Sequence, residues 1–150
     1  MLEGMAAPMG TSTRVSLAAG AALALLGASA SAAPPPPAPA PAFSRALPDV
    51  PGKHLVVVNL TLPPAGAAPH AHRHPGSVLV YVTRGTARLG VQGQPVKIVH
   101  TGETFFEPPG ALHTVAESIS RTEPASAIAV MIVPDGAPLV LPPAATDHVR

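Results

Sequence analysis

Three histidines stand two residues apart in the middle of the chain, where residues 69–75 read PHAHRHP. In an extended segment alternate side chains project from the same face, so His70, His72 and His74 would point in a common direction. Neutral imidazole is the commonest protein ligand of transition metals. The spacing therefore predicts a metal site, with a solvated histidine-rich loop as the alternative.

The composition narrows the chemistry that such a site can use. The 150 residues include seven histidines and no cysteine, which excludes disulfides, iron–sulfur clusters and thiolate zinc sites. Only 11% of the residues are charged, and the net charge is +1. Because nucleic-acid binding requires clustered lysine and arginine, we expect no nucleic-acid partner.

The elements that position the histidines are predicted to be short β-strands. From residue 55 onward, apolar runs alternate with glycine- and proline-containing turns at a spacing of about 8–12 residues, without a long helical period. This pattern predicts an all-β sandwich or barrel. In one run Val78, Val80 and Val82, or the residues between them, are predicted to line the interior. The predicted strands cover residues 55–62, 78–83, 86–92, 96–100, 104–107, 112–116 and 127–133.

Residues 1–33 have the features of a secretory signal peptide. Arg14 and the terminal amine supply positive charge, and residues 15–27 form an apolar run shorter than the ~20 residues that span a bilayer. Small residues place the expected cleavage after Ala30 or Ala32. We therefore expect a periplasmic or secreted protein with no membrane attachment after cleavage. An uncleaved anchor or an alanine-rich helix is the alternative.

Residues 34–42, which read PPPPAPAPA, are predicted to form a linker. Proline lacks the amide N–H and fixes φ, so this segment is expected to extend as a polyproline II spacer. The folded domain is then expected to cover residues 43–150, which is enough chain for one small barrel.

Two of the histidines fit a longer spaced pattern. Gly66 is followed by five residues, His72, one residue and His74, and Gly85 comes eleven positions after His74. This block resembles the first signature motif of the cupin superfamily, G-x5-H-x-H-x3-E-x6-G. The glutamate of that motif falls on Val78 here, so one position departs from the pattern.

A second block follows after the sixteen residues 86–101. Gly102, Pro108, Gly110 and His113 have the spacing of the second cupin motif, G-x5-P-x-G-x2-H-x3-N, with Glu117 at the asparagine position. Eight motif positions match across the two blocks. Over residues 54–133 the sequence therefore resembles a single-domain, type-2 cupin.

The resemblance implies a fold and a ligand set. It implies a small, jelly-roll-like β-barrel of six or eight strands, with a metal held inside by both motifs. Carried over position by position, it makes His72, His74 and His113 the ligands and leaves the usual carboxylate absent at Val78. Three histidines can hold a divalent transition metal (Fe, Mn, Cu, Ni or Zn) with open positions for water or substrate.

Two further side chains are candidates for the ligand set. His70 could join the three histidines, although its proline-flanked loop favours exposure. Glu107, on the strand before Pro108, could point inward and replace the missing carboxylate, but the simpler expectation places it at the surface. A surface position is likewise expected for Glu103 and Glu117.

The remaining histidines carry no motif. His54, His100 and His148 are interpreted as ordinary residues of strand ends or of the tail.

Three functions are compatible with these residues. The first is a metal-dependent enzyme of the dioxygenase, isomerase or lyase kind that acts on a small molecule. The second is a non-enzymatic module that binds a metal or a small ligand, which the missing glutamate and the lack of an obvious general base favour. The third is a metal-free barrel, and three intact motif histidines argue against it.

The low charge also bears on self-association. Cupins commonly associate through edge strands, and a chain with few charges has little on its surface to keep such edges apart. We therefore expect a homodimer. Residues 137–143, which read APLVLPP, are predicted either to pack on a partner or to close the barrel.

Overall fold

The computed structural model describes residues 40–67 and 71–145. The predicted signal peptide, most of the predicted linker, His70 and His148 lie outside these residues. Within them, all regular secondary structure is β-strand, as the sequence predicts. None of these residues forms a helix of the length and hydropathy needed to cross a membrane.

The described residues form nine strands, one more than the larger number that the cupin resemblance implies. All seven predicted strands are present, and two short strands, the first and the third, were not predicted. In chain order they are β1 (Phe43–Ala46), β2 (Lys53–Leu62), β3 (His72–Arg73), β4 (Ser77–Arg84), β5 (Thr86–Val91), β6 (Lys97–His100), β7 (Thr104–Glu107), β8 (Leu112–Ser118) and β9 (Ala125–Pro134).

The strands form two antiparallel sheets. The five-stranded sheet has the order β1-β2-β9-β4-β7, and the four-stranded sheet has the order β3-β8-β5-β6. Strands that are distant in sequence lie side by side in both sheets, as in a jelly roll. The predicted all-β, jelly-roll-like barrel is therefore confirmed.

The core lies between the two sheets and is made of small aliphatic side chains. Strand β4 shows the alternation clearly, because Val78, Val80 and Val82 are buried while Leu79 and Tyr81 are exposed. Each buried valine or leucine stabilises the fold by about 1.5–3 kcal/mol relative to an exposed one. The predicted valine lining of the interior is confirmed.

The segment after β9 packs against its own domain. Leu141 exchanges two backbone hydrogen bonds of 2.9 Å with Arg73 on β3, and Leu139 packs against the core. Of the two predictions for residues 137–143, closure of the barrel is therefore what the structure shows for Leu139 and Leu141.

A close backbone contact holds the start of β4 against β9. A Cβ atom on Gly76 would lie 1.8 Å from the carbonyl oxygen of Ile132. Only glycine allows this approach. Because Gly76 follows His74 by two residues, the contact also sets the position of the histidine segment.

Candidate metal centre

Strands β3 and β8 bring the histidines of the two motifs together. His72 on β3 is the direct cross-strand partner of His113 on β8, and their ring centroids are 5.2 Å apart. His74 follows β3, and its Nε2 atom is 3.1 Å from Nε2 of His72. These three residues, called here the histidine cluster, offer one ligand atom each within 4.8 Å of one another. Three histidines are thus positioned to hold a metal ion.

A β-bulge in β8 turns His113 toward the interior. Gly90 of β5 pairs with Val115, whereas the next residue, Val91, pairs with His113, so Thr114 is an extra residue. Without the extra residue, His113 and Ala116 would lie on opposite faces, because they are three positions apart. With it, His113 is 6% exposed and faces the interior.

Backbone hydrogen bonds join the two motifs. The amide of Gly110 in the second motif donates to the carbonyl of His74 in the first, at 2.9 Å. The guanidinium of Arg73 donates to the carbonyl of Gly110. Gly110 itself has a φ of 72°, which strongly favours glycine. The turn of the second motif therefore fixes the position of the His72–His74 segment relative to β8.

The orientation of His74 is set from outside the cluster. Its Nδ1 atom is 2.6 Å from the carbonyl oxygen of Leu139. A carbonyl only accepts, so Nδ1 carries the proton, and Nε2 presents its lone pair toward the other histidines. Metal-binding histidines usually have such a partner on the second ring nitrogen.

Burial keeps two members of the cluster, His74 and His113, in the form that binds metals. It lowers the pKa of His113 to about 3, with a further contribution from the charges of His72 and His74. The pKa of His74 is also lowered, mainly by burial. These two imidazoles are therefore neutral at pH 7, and neutral imidazole is the metal ligand.

Unsatisfied polar atoms support a cation at this place. Within the described part of the chain, both ring nitrogens of His113 and the Oε2 atom of Glu107 are buried and have no hydrogen-bond partner. Such atoms cost about 1–3 kcal/mol each when nothing binds them. A metal ion would satisfy lone pairs from both residues, so the side chains present fit one.

The expected surface position of Glu107 is wrong. Its side chain is 2% exposed and lies inside the barrel beside the histidine cluster. Strand β7 alternates, so Glu107 shares the inward face of Phe105, two residues earlier. The sequence TFFE predicts that Phe105 and Glu107 share one face of the strand, but it does not show which face of the strand points inward. Burial raises the pKa of Glu107 to about 7.

The expected surface position of Glu117 is also wrong, although the residue is not at the cluster. Its carboxylate accepts hydrogen bonds from the amide of Gly66, at 2.9 Å, and from Nη1 of Arg88, at 2.8 Å. The bulge at Thr114 places Glu117 on the outer face, where it holds the loop that leads to β3. A surface cavity of about 390 Å³ lies there, away from the histidine cluster.

The other sequence candidates lie away from the cluster. Glu103 is exposed and accepts a hydrogen bond from the amide of His100. His54 contacts Asp135, and His100 contacts Thr86, both at exposed positions near strand ends. These placements confirm the interpretation of His54 and His100.

Apolar side chains surround the buried side of the cluster. The ring of Phe105 stacks on that of His113 with centroids 6.4 Å apart and planes 24° apart. Val78 and Phe105 are each at most 3% exposed. His72 is only partly buried, so the cluster meets solvent on its side.

The comparison with protein families agrees with this geometry. The family model for the cupin domain matches residues 58–131, which include the whole histidine cluster. The chain belongs to the cupin superfamily. No curated protein sequence matches it significantly.

Solved structures with a similar fold include several cupins. A cupin-like protein from Thermotoga maritima is 28% identical, with a TM-score of 0.43 over 53% of this chain and 56% of that one. A DMSP lyase from Ruegeria pomeroyi is 21% identical, with a TM-score of 0.49 over 65% and 46%. An oxalate decarboxylase is 22% identical, with a TM-score of 0.51 over 61% and 24%. The match covers at most 56% of any of these three chains, and the similarity is one of fold.

Proposed function

We propose that this cupin binds a divalent transition metal through His72, His74 and His113 and is a small-molecule metalloenzyme of the dioxygenase, isomerase or lyase kind. The observation that carries the proposal is the convergence of three imidazoles from two motifs, although His74 and His113 are 39 positions apart in the sequence. Imidazole ligands suit iron, manganese, copper, nickel and zinc, and the proposal extends to that set.

The surroundings of the cluster support small-molecule chemistry. A bound metal with open positions supplies Lewis-acid polarisation of an oxygen ligand, or activation of O₂. Phe105 and Val78 exclude water from the inner side, which strengthens electrostatic interactions there. The partly exposed His72 marks the side from which a substrate enters. The hydrogen bond to Leu139 holds His74 in the tautomer that leaves Nε2 available.

Metal content tests the first half of the proposal. The protein is purified without added metal, and iron, manganese, copper, nickel and zinc are measured by elemental analysis. We expect about one ion per chain, lost in His72→Ala, His74→Ala and His113→Ala and retained in His54→Ala and His100→Ala. A wild-type protein that neither contains nor takes up any of these metals would rule the proposal out.

Turnover tests the second half. The metal-loaded protein is screened for O₂ consumption and product formation with enolic, phenolic and thiol compounds. We expect turnover of at least one compound that His113→Ala abolishes and that His100→Ala leaves intact.

A second function, binding without turnover, is favoured by one observation. Apart from Glu107, the buried polar side chains of the described interior near the cluster are the histidines themselves, so no further general base stands there. Tight metal binding with no turnover of any screened compound would support this alternative.

The proposal also covers the cellular location of the protein. We propose that the protein is exported through its N-terminal segment and works in the periplasm or outside the cell. The apolar run of residues 15–27 and the small residues after it support this. Fractionation of cells that express the full chain, with N-terminal sequencing, tests it, and we expect a mature chain that starts after Ala30 or Ala32.

A further inference from the structure

We propose that Glu107 is the fourth ligand of the metal and that it replaces, from the neighbouring strand, the carboxylate that the first cupin motif places at position 78. This inference rests on the proposed function, because it concerns the same metal site. It adds a ligand from β7, which belongs to neither histidine segment.

The register of β4 and β7 explains how the carboxylate can change strand. Val78 on β4 and Glu107 on β7 are direct cross-strand partners. Side chains at such positions have Cβ atoms about 4.5–5.5 Å apart and point to the same face. Both are buried, at 1% and 2% exposure. A carboxylate at either position therefore projects into the same part of the interior.

The distances around Glu107 resemble those within a coordination shell. Its Oε2 atom is 3.4 Å from Nδ1 of His113 and 3.8 Å from Nε2 of His74. The Nε2 atoms of His72 and His74 are 3.1 Å apart. Nitrogen and oxygen ligands bound at about 2.0–2.2 Å in tetrahedral or octahedral geometry are roughly 2.8–3.6 Å from one another. Two of these distances fall within that range, and the 3.8 Å distance and the 4.8 Å limit within the histidine cluster exceed it, so small side-chain movements would bring the four ligand atoms onto one ion.

The environment of Glu107 offers no other partner for a negative charge. Among the described residues, its ion-pair contacts are with His74 and His113, and no lysine or arginine contacts it. Its Oε2 atom also lacks a hydrogen bond. A buried carboxylate is stable as an anion only beside a cation or strong donors. A divalent ion in the histidine cluster would be that cation.

One competing role for Glu107 is to orient His113 by accepting a hydrogen bond from Nδ1. Carboxylates often hold metal-binding histidines in this way. Here the 3.4 Å contact between Oε2 of Glu107 and Nδ1 of His113 does not satisfy hydrogen-bond geometry. We therefore assign Glu107 to the metal, and the experiment below separates the two roles.

The experiment moves the carboxylate back to its usual strand. Zn²⁺ affinity is measured by chelator competition for the wild type, Glu107→Gln and the double variant Val78→Glu/Glu107→Val. Each protein is also loaded with Co²⁺, whose visible spectrum changes with the number and type of ligands. Glu103→Gln is the matched control, because Glu103 is exposed and lies four residues away on the same stretch of chain.

We expect Glu107→Gln to lower Zn²⁺ affinity by at least about tenfold and to change the Co²⁺ spectrum, while Glu103→Gln changes neither. The double variant should recover most of the affinity and a spectrum close to that of the wild type. If the double variant does not fold, the Glu107→Gln spectrum decides alone, since this substitution keeps the shape of the side chain.

Three results would overturn the inference or its basis, and they are distinguishable. If Glu107→Gln matches the wild type in affinity and spectrum, Glu107 is not a ligand and the three-histidine proposal stands. If affinity falls but the Co²⁺ spectrum is unchanged, Glu107 only orients His113, and the inference is wrong. If the wild type binds neither Zn²⁺ nor Co²⁺, the proposed function itself fails.

Discussion

At the scale of single residues, Glu107 and His113 change the stability of the protein in opposite directions as the pH rises. Burial raises the pKa of Glu107 and lowers that of His113. In the metal-free protein both groups are mainly neutral between about pH 3 and about pH 7. Above that range Glu107 loses its proton and has no counter-ion until a metal binds. The same residue therefore destabilises the empty site and stabilises the filled one.

This conflict predicts a pH-dependent effect of Glu107→Gln in the metal-free protein. The pKa of Glu107 rises from its ordinary 4.5 to about 7 on folding, so the folded state keeps a proton that the unfolded state has lost. The free energy of unfolding of the wild type therefore falls as pH rises from 4.5 to 7, by about 3 kcal/mol. Glutamine removes this loss. Glu107→Gln should match the wild type near pH 4 and exceed it by about 3 kcal/mol at pH 8.

Urea unfolding in EDTA at several pH values measures this difference. The histidines shift stability in the opposite direction, because their lowered pKa values favour the folded state as pH rises, but they are present in both proteins and cancel. The exposed Glu103→Gln should show no difference at any pH. A constant difference between Glu107→Gln and the wild type would contradict the prediction.

A second residue-scale prediction concerns His113. Its two ring nitrogens lack hydrogen bonds, and Phe105 stacks on the ring. His113→Phe replaces unsatisfied polar atoms with an apolar ring of similar shape. We expect metal binding to be lost and the free energy of unfolding in EDTA to rise by about 1 kcal/mol, measured by urea unfolding beside His100→Phe, an exposed control. A destabilised His113→Phe would contradict this and show that the imidazole nitrogens make stabilising interactions in the metal-free protein.

At the scale of elements, the site depends on two irregular features of the strands. The bulge at Thr114 turns His113 inward and sends Glu117 to the outer face. The contact between Gly76 and Ile132 positions the chain directly after His74. Both features are departures from regular alternation, which is common where strands place functional side chains.

Gly76→Ala should therefore disturb both the fold and the site. The added Cβ would lie 1.8 Å from the carbonyl oxygen of Ile132, so β4 and β9 must separate. We expect a loss of about 3 kcal/mol or more in unfolding free energy and weaker Zn²⁺ binding. Gly93→Ala is the control, because an added Cβ there meets nothing within 4 Å and only its φ of 81° opposes alanine, at about 1–2 kcal/mol.

Thermal and urea unfolding of both variants, with Zn²⁺ titration, measures these effects. Equal destabilisation of Gly76→Ala and Gly93→Ala would contradict the role given to the contact with Ile132.

At the scale of the whole molecule, the outer face of the five-stranded sheet is unusually apolar. One row of direct cross-strand partners crosses all five strands. It consists of Phe43, Val57, Val130, Leu79 and Phe106. Leu79 and Phe106 are 41% and 55% exposed. A row this long without a charge is typical of a surface that another protein covers.

We predict that a second copy of the chain covers this face. The five strands have 4, 10, 10, 8 and 4 residues in sheet order, so at about 3.3 Å per residue and a spacing of about 4.8 Å they present roughly 570 Å². This is most of the roughly 800 Å² that each partner of a standard-size interface buries. A row without charges can meet its own copy without like-charge repulsion. This keeps the homodimer expected from the sequence and assigns it to a face, whereas the sequence argument pointed to an edge strand.

Light scattering coupled to gel filtration tests the dimer. Leu79→Glu and Phe106→Glu should convert a wild-type dimer to a monomer, while Ile98→Glu, at an equally exposed position on the other sheet, should leave it intact. A monomeric wild type would refute the dimer. A dimer that only Ile98→Glu disrupts would assign the interface elsewhere.

The sequence predicted seven of the nine strands because each has enough alternating or apolar residues to show a period. Strand β3 has two residues, too few for any period, and β1 reads FSRA, with all four residues exposed. Strand β1 pairs with the neighbouring β2, but its four exposed residues show no apolar pattern. Strand β3 forms through pairing with Leu112 and His113, which are distant in sequence. Such pairing leaves no local signal.

By itself the sequence predicted the all-β architecture through its local periodicity, and the resemblance of its two spaced blocks to the cupin motifs implied that three histidines come together. Only the tertiary structure decided what Glu107 and Glu117 do. Both are carboxylates on short strands with similar local sequence signals, yet one faces the histidine cluster and the other holds an outer loop. The difference comes from the cross-strand register of Val78 with Glu107 and from one extra residue in β8. Register and bulges depend on which strands meet, and that is settled only when the whole chain packs.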